Sequence, residues 1–413
     1  MVLSRRRWLS MTIAGLSVFT KRAEPSVAAE SQASEVARRI ARVIHEYEDQ
    51  GDHRTATHVD QTSADWLSAK VRQAGLAPAH ERFSITRIDP VSSALITENR
   101  RIEGLPLFDA AFTGQQGVGG PLGELGSDAA IGLTEIVPNS ARAGALGEAR
   151  RMNRHRAIVC VTRGGTPGLC PSNADDFLAP FGPPVLQLSS TEAAWLNDLA
   201  QRRATVQLVA QATRTMTTSA NVTAALAGAD RSLPPLVVMT PRSGWYRCAS
   251  ERGGGIACWL ELMRALREGR TRRDVLFVAS SGHELGYFGI NAFIERRPGV
   301  VKDAVGWLHF GANIGAAIEP GNRLQASDDD LDGMLTAEMT ASGLRVERRA
   351  PRGTVPGGEA GVVHNGGGRY VSIIGNNALF HNPDDRGPSV IDPGVIARYC
   401  TAFTLLAKKL AQP

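Results

Sequence analysis

The sequence predicts an α/β protein, a mostly parallel sheet flanked by helices and interrupted by a β-rich insert. Three features lead there. Beyond residue 216, short apolar runs of strand length alternate with segments that carry apolar residues at helical spacing, the pattern of a sheet covered on both faces. Residues 113–215 have another texture, rich in glycine and in short β-type runs around a single helix. Two amphipathic helical segments precede both.

In chain order, "ASEVARRIARVIHEYEDQ" (33–50) and "DQTSADWLSAKVRQAGL" (60–76) place apolar residues three and four apart, and the second stops at Gly75 and Pro78. "ERFSITRI" (81–88) follows as a strand. The insert opens on "TGQQGVGGPLGELGSDAAIG" (113–132) and continues through "HRAIVCVTRGG", "PPVLQLSS" and the helical "STEAAWLNDLAQRR". After "TTSANVTAALAG" come the buried strand "LPPLVVMTP" (233–241) and "RGGGIACWLELMRALREG" (252–269), which sets Ile256, Leu260, Met263 and Leu266 on one helical face. "DVLFVASS" (274–281), "DAVGWLHFG" (303–311) and "RYVSIIG" (369–375) read as strands, and "DPGVIARYCTAFTLLAKKLA" (392–411) as the closing helix. "SDDDLD" (327–332) lacks the spaced oxygen ligands of a calcium loop; it reads as a helix start with aspartates at its positive end.

The N-terminus stands apart. Arg5, Arg6 and Arg7, an apolar stretch from Trp8 to Phe19 and small residues at Ser26-Val27-Ala28 follow the order of a twin-arginine export signal over residues 1–28. The apolar stretch is too short for a membrane span, so the mature chain is expected to be periplasmic or secreted without one. Removing the signal also removes most of the formal +5 charge, so the basic balance argues for no nucleic-acid partner. Cys160, Cys170, Cys248, Cys258 and Cys400 show no paired zinc-binding spacing. Export permits a disulfide, with 160–170 and 248–258 as the short-range candidates, and an odd count leaves one thiol over.

Ligands of open α/β sheets bind outside the carboxyl ends of the strands. Those ends carry Thr240 to Ser243, then His283 and Glu284, then His309, with His381 beyond the last strand and Glu251 at the glycine-rich helix entry. His45, His53, His58 and His80, in or beside the early helices, read as surface or internally satisfied histidines.

Several stretches resemble the co-catalytic zinc exopeptidases, the group of leucyl-type aminopeptidases, glutamate carboxypeptidase and glutaminyl cyclase. "SGHELGYFGINAF" resembles their Glu-Glu turn, "CASERGGGIACWLELMRAL" their "GAxDNxSG" helix entry, and "ALFHNPDD" their late "yHtpxD". The segment 113–215 resembles the protease-associated domain of some members, which leaves 33–112 and 216–413 as the two parts of a catalytic domain. The resemblance implies a site that departs from the usual two-zinc pattern. The first His-x-Asp falls on Thr240 and Arg242, the bridging Asp on Glu251, the Glu-Glu pair on His283 and Glu284, the later Asp on His309, and the late His on His381. It thus implies one zinc, or another divalent transition metal, held by Glu251, Glu284 and His381 with His309 as a fourth ligand.

His283 is expected as the general base, with a metal ligand or a structural histidine as the alternatives. Arg242 is expected to replace part of the lost cation's charge or to grip a substrate carboxylate, with a solvated loop residue as the alternative. Glu359 and His364, in "GEAGVVHNGGG", are candidates to line the pocket. The expected function is exported, metal-dependent hydrolysis of amide bonds in peptides or small amino-acid conjugates. The alternatives are a non-catalytic binding protein on the same fold and a cyclising acyl transfer like that of glutaminyl cyclase.

Overall fold

A computed structural model describes residues 27–412 of the chain. The export signal expected at 1–28 lies outside the described residues but for its last two. The first helices, α1 (Val27–Glu48) and α2 (His58–Gln73), form where expected. The Thr57 side chain caps α2 by accepting from the Asp60 N–H, and the chain leaves through Gly75 at φ +86°.

The strand read over 81–88 is the middle of a much longer one, β1 (Pro78–Ile96). After β2 (Arg101–Glu103) and β3 (Leu105–Pro106), the strand-rich lobe consists of β4 (Val118–Glu124), β5 (Ile131–Ile136), α3 (Gly144–Met152), β6 (Ala157–Thr162), β7 (Val185–Ser189) and α4 (Ala193–Gln201). It returns through β8 (Thr205–Leu226), which pairs antiparallel with β1 from Pro78↔Ala224 to Ile96↔Gln207. The register slips once, between Pro90 and Ser92, where proline offers no N–H to the ladder. These two strands run through both halves of the molecule: Val222 and Ala224 belong to the main core, while Leu95, Val206 and Leu208 belong to that of the lobe.

The remaining elements are β9 (Leu236–Pro241), α5 (Gly253–Glu268), β10 (Val275–Ser280), α6 (Phe288–Glu295), α7 (Val300–Asp303), β11 (Gly306–Phe310), β12 (Asn322–Ala326), α8 (Asp329–Ala341), β13 (Arg348–Arg349), α9 (Ala360–Asn365), β14 (Tyr370–Gly375) and α10 (Pro393–Leu410). The centre of the sheet is parallel, in the order β10-β9-β11-β14; β8 and β12 flank it antiparallel. Side chains alternate across β9 as period two requires. Leu236 and Val238 join the core under α1, α5 and α10, and Val237 and Met239 the one under α6 and α9. Asp328 caps α8 by accepting from the Leu331 N–H, so the acidic run is a helix start as read. Among the described residues no helix is long and apolar enough to cross a membrane.

All five cysteines are free and buried. The expected pairings 160–170 and 248–258 are not made because the partners face different neighbours. Cys160 packs in the lobe while Cys170 meets Asn382; Cys248 faces Glu251 while Cys258 turns to α10.

Candidate functional site

The candidate site lies where β9, β10 and β11 end and α5 begins. Gly254 lets α5 enter so close to the sheet: a Cβ there would stand 1.8 Å from the carbonyl oxygen of Ile314. Asp385 secures the same entry by accepting from the Ser250 and Glu251 N–H groups, each at 2.9 Å. Burial raises its pKa to about 6, against the hydrogen bonds from Ser250. On the β10 side the turn passes through Gly282 at φ +82°. The Ser243 hydroxyl pins it, accepting from the N–H groups of Gly282 at 3.0 Å and His283 at 3.3 Å while donating to Glu284 Oε2 at 2.8 Å.

Glu251 and Glu284 face each other, and between them lies a side chain the sequence analysis did not single out. Arg252 Nη2 is 2.9 Å from Glu251 Oε1 and 3.1 Å from Glu284 Oε1, and its Nε donates to the Ser243 carbonyl at 2.7 Å. All three charged side chains are buried. Burial opposes charge on each; for Glu251 the adjacent guanidinium wins and holds its pKa at about 2, and for Arg252 the two carboxylates push the pKa above its already high value.

His381 meets this group from the far side, with Nε2 3.4 Å from Glu251 Oε1. Its Nδ1 lies 2.6 Å from the Pro171 carbonyl, which only accepts, so Nδ1 carries a proton. In the neutral ring Nε2 then turns a lone pair toward a carboxylate and has no hydrogen-bond partner of its own.

His283 points elsewhere, its Nδ1 3.4 Å from Glu359 Oε1, which also accepts from Ser280. Burial, then the nearby Arg252 charge, lowers the His283 pKa to about 3; burial likewise raises that of Glu359.

The other expected site residues fall differently. His309 is not brought to Glu251: its Nδ1 meets Ser372 Oγ at 2.8 Å, its ring edge approaches Gly358, and burial lowers its pKa to about 4. Arg242 is not open to a substrate carboxylate, because it is buried and committed to Asp60 Oδ1 at 2.9 Å and to the carbonyls of Asp60 and Ala220. Asp60 is equally committed, accepting also from Ser219 and Ser281. This ion pair fills the place expected of a free arginine. His364 turns to the Tyr370 hydroxyl at 3.2 Å, and of the two candidates in its segment Glu359 is the one that reaches the site.

The expected metal set does not fit a metal ion as it stands. Zinc needs donor atoms about 2.0–2.2 Å away, and a guanidinium occupies the space between the two carboxylates. Among the described residues no group of three or more His, Cys, Asp or Glu side chains is arranged to hold a metal. A crevice beside Glu284, walled by Ile88, Phe108, Trp245 and Leu285 with Arg54 and Thr55, has a volume of about 10 Å³, room for roughly one water.

The curled mixed sheet between helices is similar in fold to solved zinc aminopeptidases. The chain superposes on BSAP, a zinc aminopeptidase from Bacillus subtilis, with a TM-score of 0.72 at 17% identity over 90% of this chain and 94% of that one. For an aminopeptidase from Aneurinibacillus sp. strain AM-1 the TM-score is 0.68 at 15% identity, over 93% and 97%. For glutaminyl cyclase from Porphyromonas gingivalis it is 0.51 at 12% identity, over 90% and 98%. At these identities the likeness is one of fold. No family model matches the sequence, and no curated protein sequence matches it.

A sequence signal for Arg252 existed. It follows Glu251 at the N-cap of α5, the positive end of a helix, where a cation is electrostatically out of place unless carboxylates surround it. Asp60 had no such mark, since nothing local joins it to residues some 180 positions away.

Proposed function

We propose that this chain is a metal-free protein of the aminopeptidase fold that holds peptides or small amino-acid amides without hydrolysing them. The observation that carries this is the Arg252 guanidinium in contact with both Glu251 and Glu284. Amide hydrolysis on this fold needs an electrophile with an open position for water and a base to take its proton. Arg252 offers no open position, and its charge is spent on two carboxylates. The ligand class rests on the likeness to aminopeptidases and on the apolar crevice ending at Glu284. Phe108 and Trp245, whose rings meet edge to face at 5.3 Å, wall this crevice. Export through the twin-arginine signal and a protease-associated role for the strand-rich lobe belong to the same proposal.

Metal-dependent hydrolysis, with one zinc and His283 as base, is favoured by one observation: His381 Nε2 has no hydrogen-bond partner and stands 3.4 Å from Glu251 Oε1, as a ligand nitrogen awaiting a cation would. Cyclising acyl transfer would need the same ion. Metal content and turnover separate these functions. Purified protein incubated with zinc is expected to retain none after gel filtration, to leave aminoacyl anilides and N-acyl amino acids intact, and to bind a dipeptide amide in calorimetry. One zinc per chain, lost in Glu284→Ala and His381→Ala and accompanied by turnover, would establish the hydrolase instead.

A further inference from the structure

The closest pair of thiols in the molecule is one that spacing along the chain gave no reason to join. Cys258 lies on α5 and Cys400 on α10, 142 positions apart, and their sulfurs are 3.2 Å from each other in the interior of the main core. A disulfide needs about 2.05 Å between sulfurs, a closure of roughly 1.1 Å. The two helices are packed along each other, so the closure falls to the side chains rather than to the backbone. The other three cysteines have different company. Cys160 sits among apolar side chains of the lobe, Cys170 meets Asn382 Nδ2 at 3.7 Å, and Cys248 meets Glu251 Oε2 at 3.7 Å.

We propose that Cys258 and Cys400 are a disulfide site, closed in oxidising surroundings, that clasps the C-terminal helix to the helix whose N-terminus carries Glu251 and Arg252. The oxidant is a disulfide, either a small-molecule one or that of a thiol oxidoreductase. One cysteine thiolate attacks it, forming a mixed disulfide and releasing one donor sulfur as a thiol. The second cysteine thiolate then attacks the protein sulfur of that mixed bond and releases the other donor sulfur. Two protein S–H bonds are lost, one protein S–S bond forms, and the donor takes up two electrons and two protons.

Both thiols are buried in the finished fold, so exchange takes place only in molecules in which α10, the last described helix, is undocked. The bond removes conformations from the unfolded chain by closing a long loop and leaves the native packing almost unchanged.

The test is a count and a map. Wild-type protein is unfolded with reductant, refolded in a glutathione and glutathione-disulfide buffer, and quenched with acid. Three thiols are expected to titrate in denaturant, and peptide mapping is expected to join the Cys258 and Cys400 peptides. The urea midpoint of the oxidised protein should exceed that of the reduced one, and this gap should vanish in Cys400→Ser. Five titrating thiols in refolded protein with native circular dichroism, or a map joining any other pair, would overturn the assignment. These readouts involve neither metal nor ligand, so their failure is separate from failure of the proposed function.

Discussion

In the proposed metal-free site Arg252 supplies positive charge between two carboxylates and none of the chemistry of a metal ion. A planar guanidinium satisfies two carboxylates at once, but it has no vacant position at which to bind and acidify water. Its removal leaves Glu251 and Glu284 buried and uncompensated. Arg252→Ala is therefore expected to lose about 3–5 kcal/mol of stability, the usual cost of deleting one partner from a buried ion pair, measured by urea unfolding. Arg252→Lys keeps the charge without the fork and should fall between. Zinc is expected to raise the midpoint of the alanine variant, where the carboxylates and His381 are free to close on a cation, and to leave the wild type unmoved.

At the scale of elements, the entry of α5 positions the site. Its glycines are spaces for neighbours rather than flexible joints, and Gly254, against the Ile314 carbonyl, has the least room. Gly254→Ala must push the helix from the loop after β11. A loss of about 1–3 kcal/mol is expected, as for other overpacked interiors, together with loosening of the Arg252 contacts, visible as faster amide exchange in residues 250–256. Gly333, on the face of α8 with nothing near its Cβ position, is the control; Gly333→Ala is expected to be neutral or slightly stabilising.

Over the whole molecule, buried histidines set the response to acid. His53 and His283 have pKa values lowered to about 3 and His309 to about 4, chiefly by burial, so the native state keeps them neutral where the unfolded chain protonates them. Their contribution to stability is present above pH 6.5 and is lost as pH falls toward 3. Asp385, raised to about 6, works the other way, because near pH 5 the native state holds a proton there that the unfolded chain has released. The buried Glu359, also raised, adds to this offset. Unfolding near pH 5 is thus expected to take up roughly one to two protons net, a fall in stability of roughly 1.4–2.8 kcal/mol per pH unit toward acid. Urea midpoints between pH 4 and 7 check this. Stability that rises on acidification through that range would show that these histidines are not held neutral.

The order of strands and helices, the capped start of α8 and the placing of Glu251, Glu284, His283 and His381 near one sheet end were legible in the sequence, because apolar periodicity and turn residues are local and strand ends follow from them. The company each side chain keeps was not. That Arg242 spends its charge on Asp60, that His309 turns to Ser372, that Cys258 meets Cys400 and that Arg252 closes the gap between two carboxylates all depend on contacts between residues remote in the chain, or on the direction in which a long side chain folds back. Local pattern determines which residues arrive at an edge of the sheet. Only packing in three dimensions decides which charge compensates which, since a buried ion settles on whatever opposite charge the surrounding fold brings within reach.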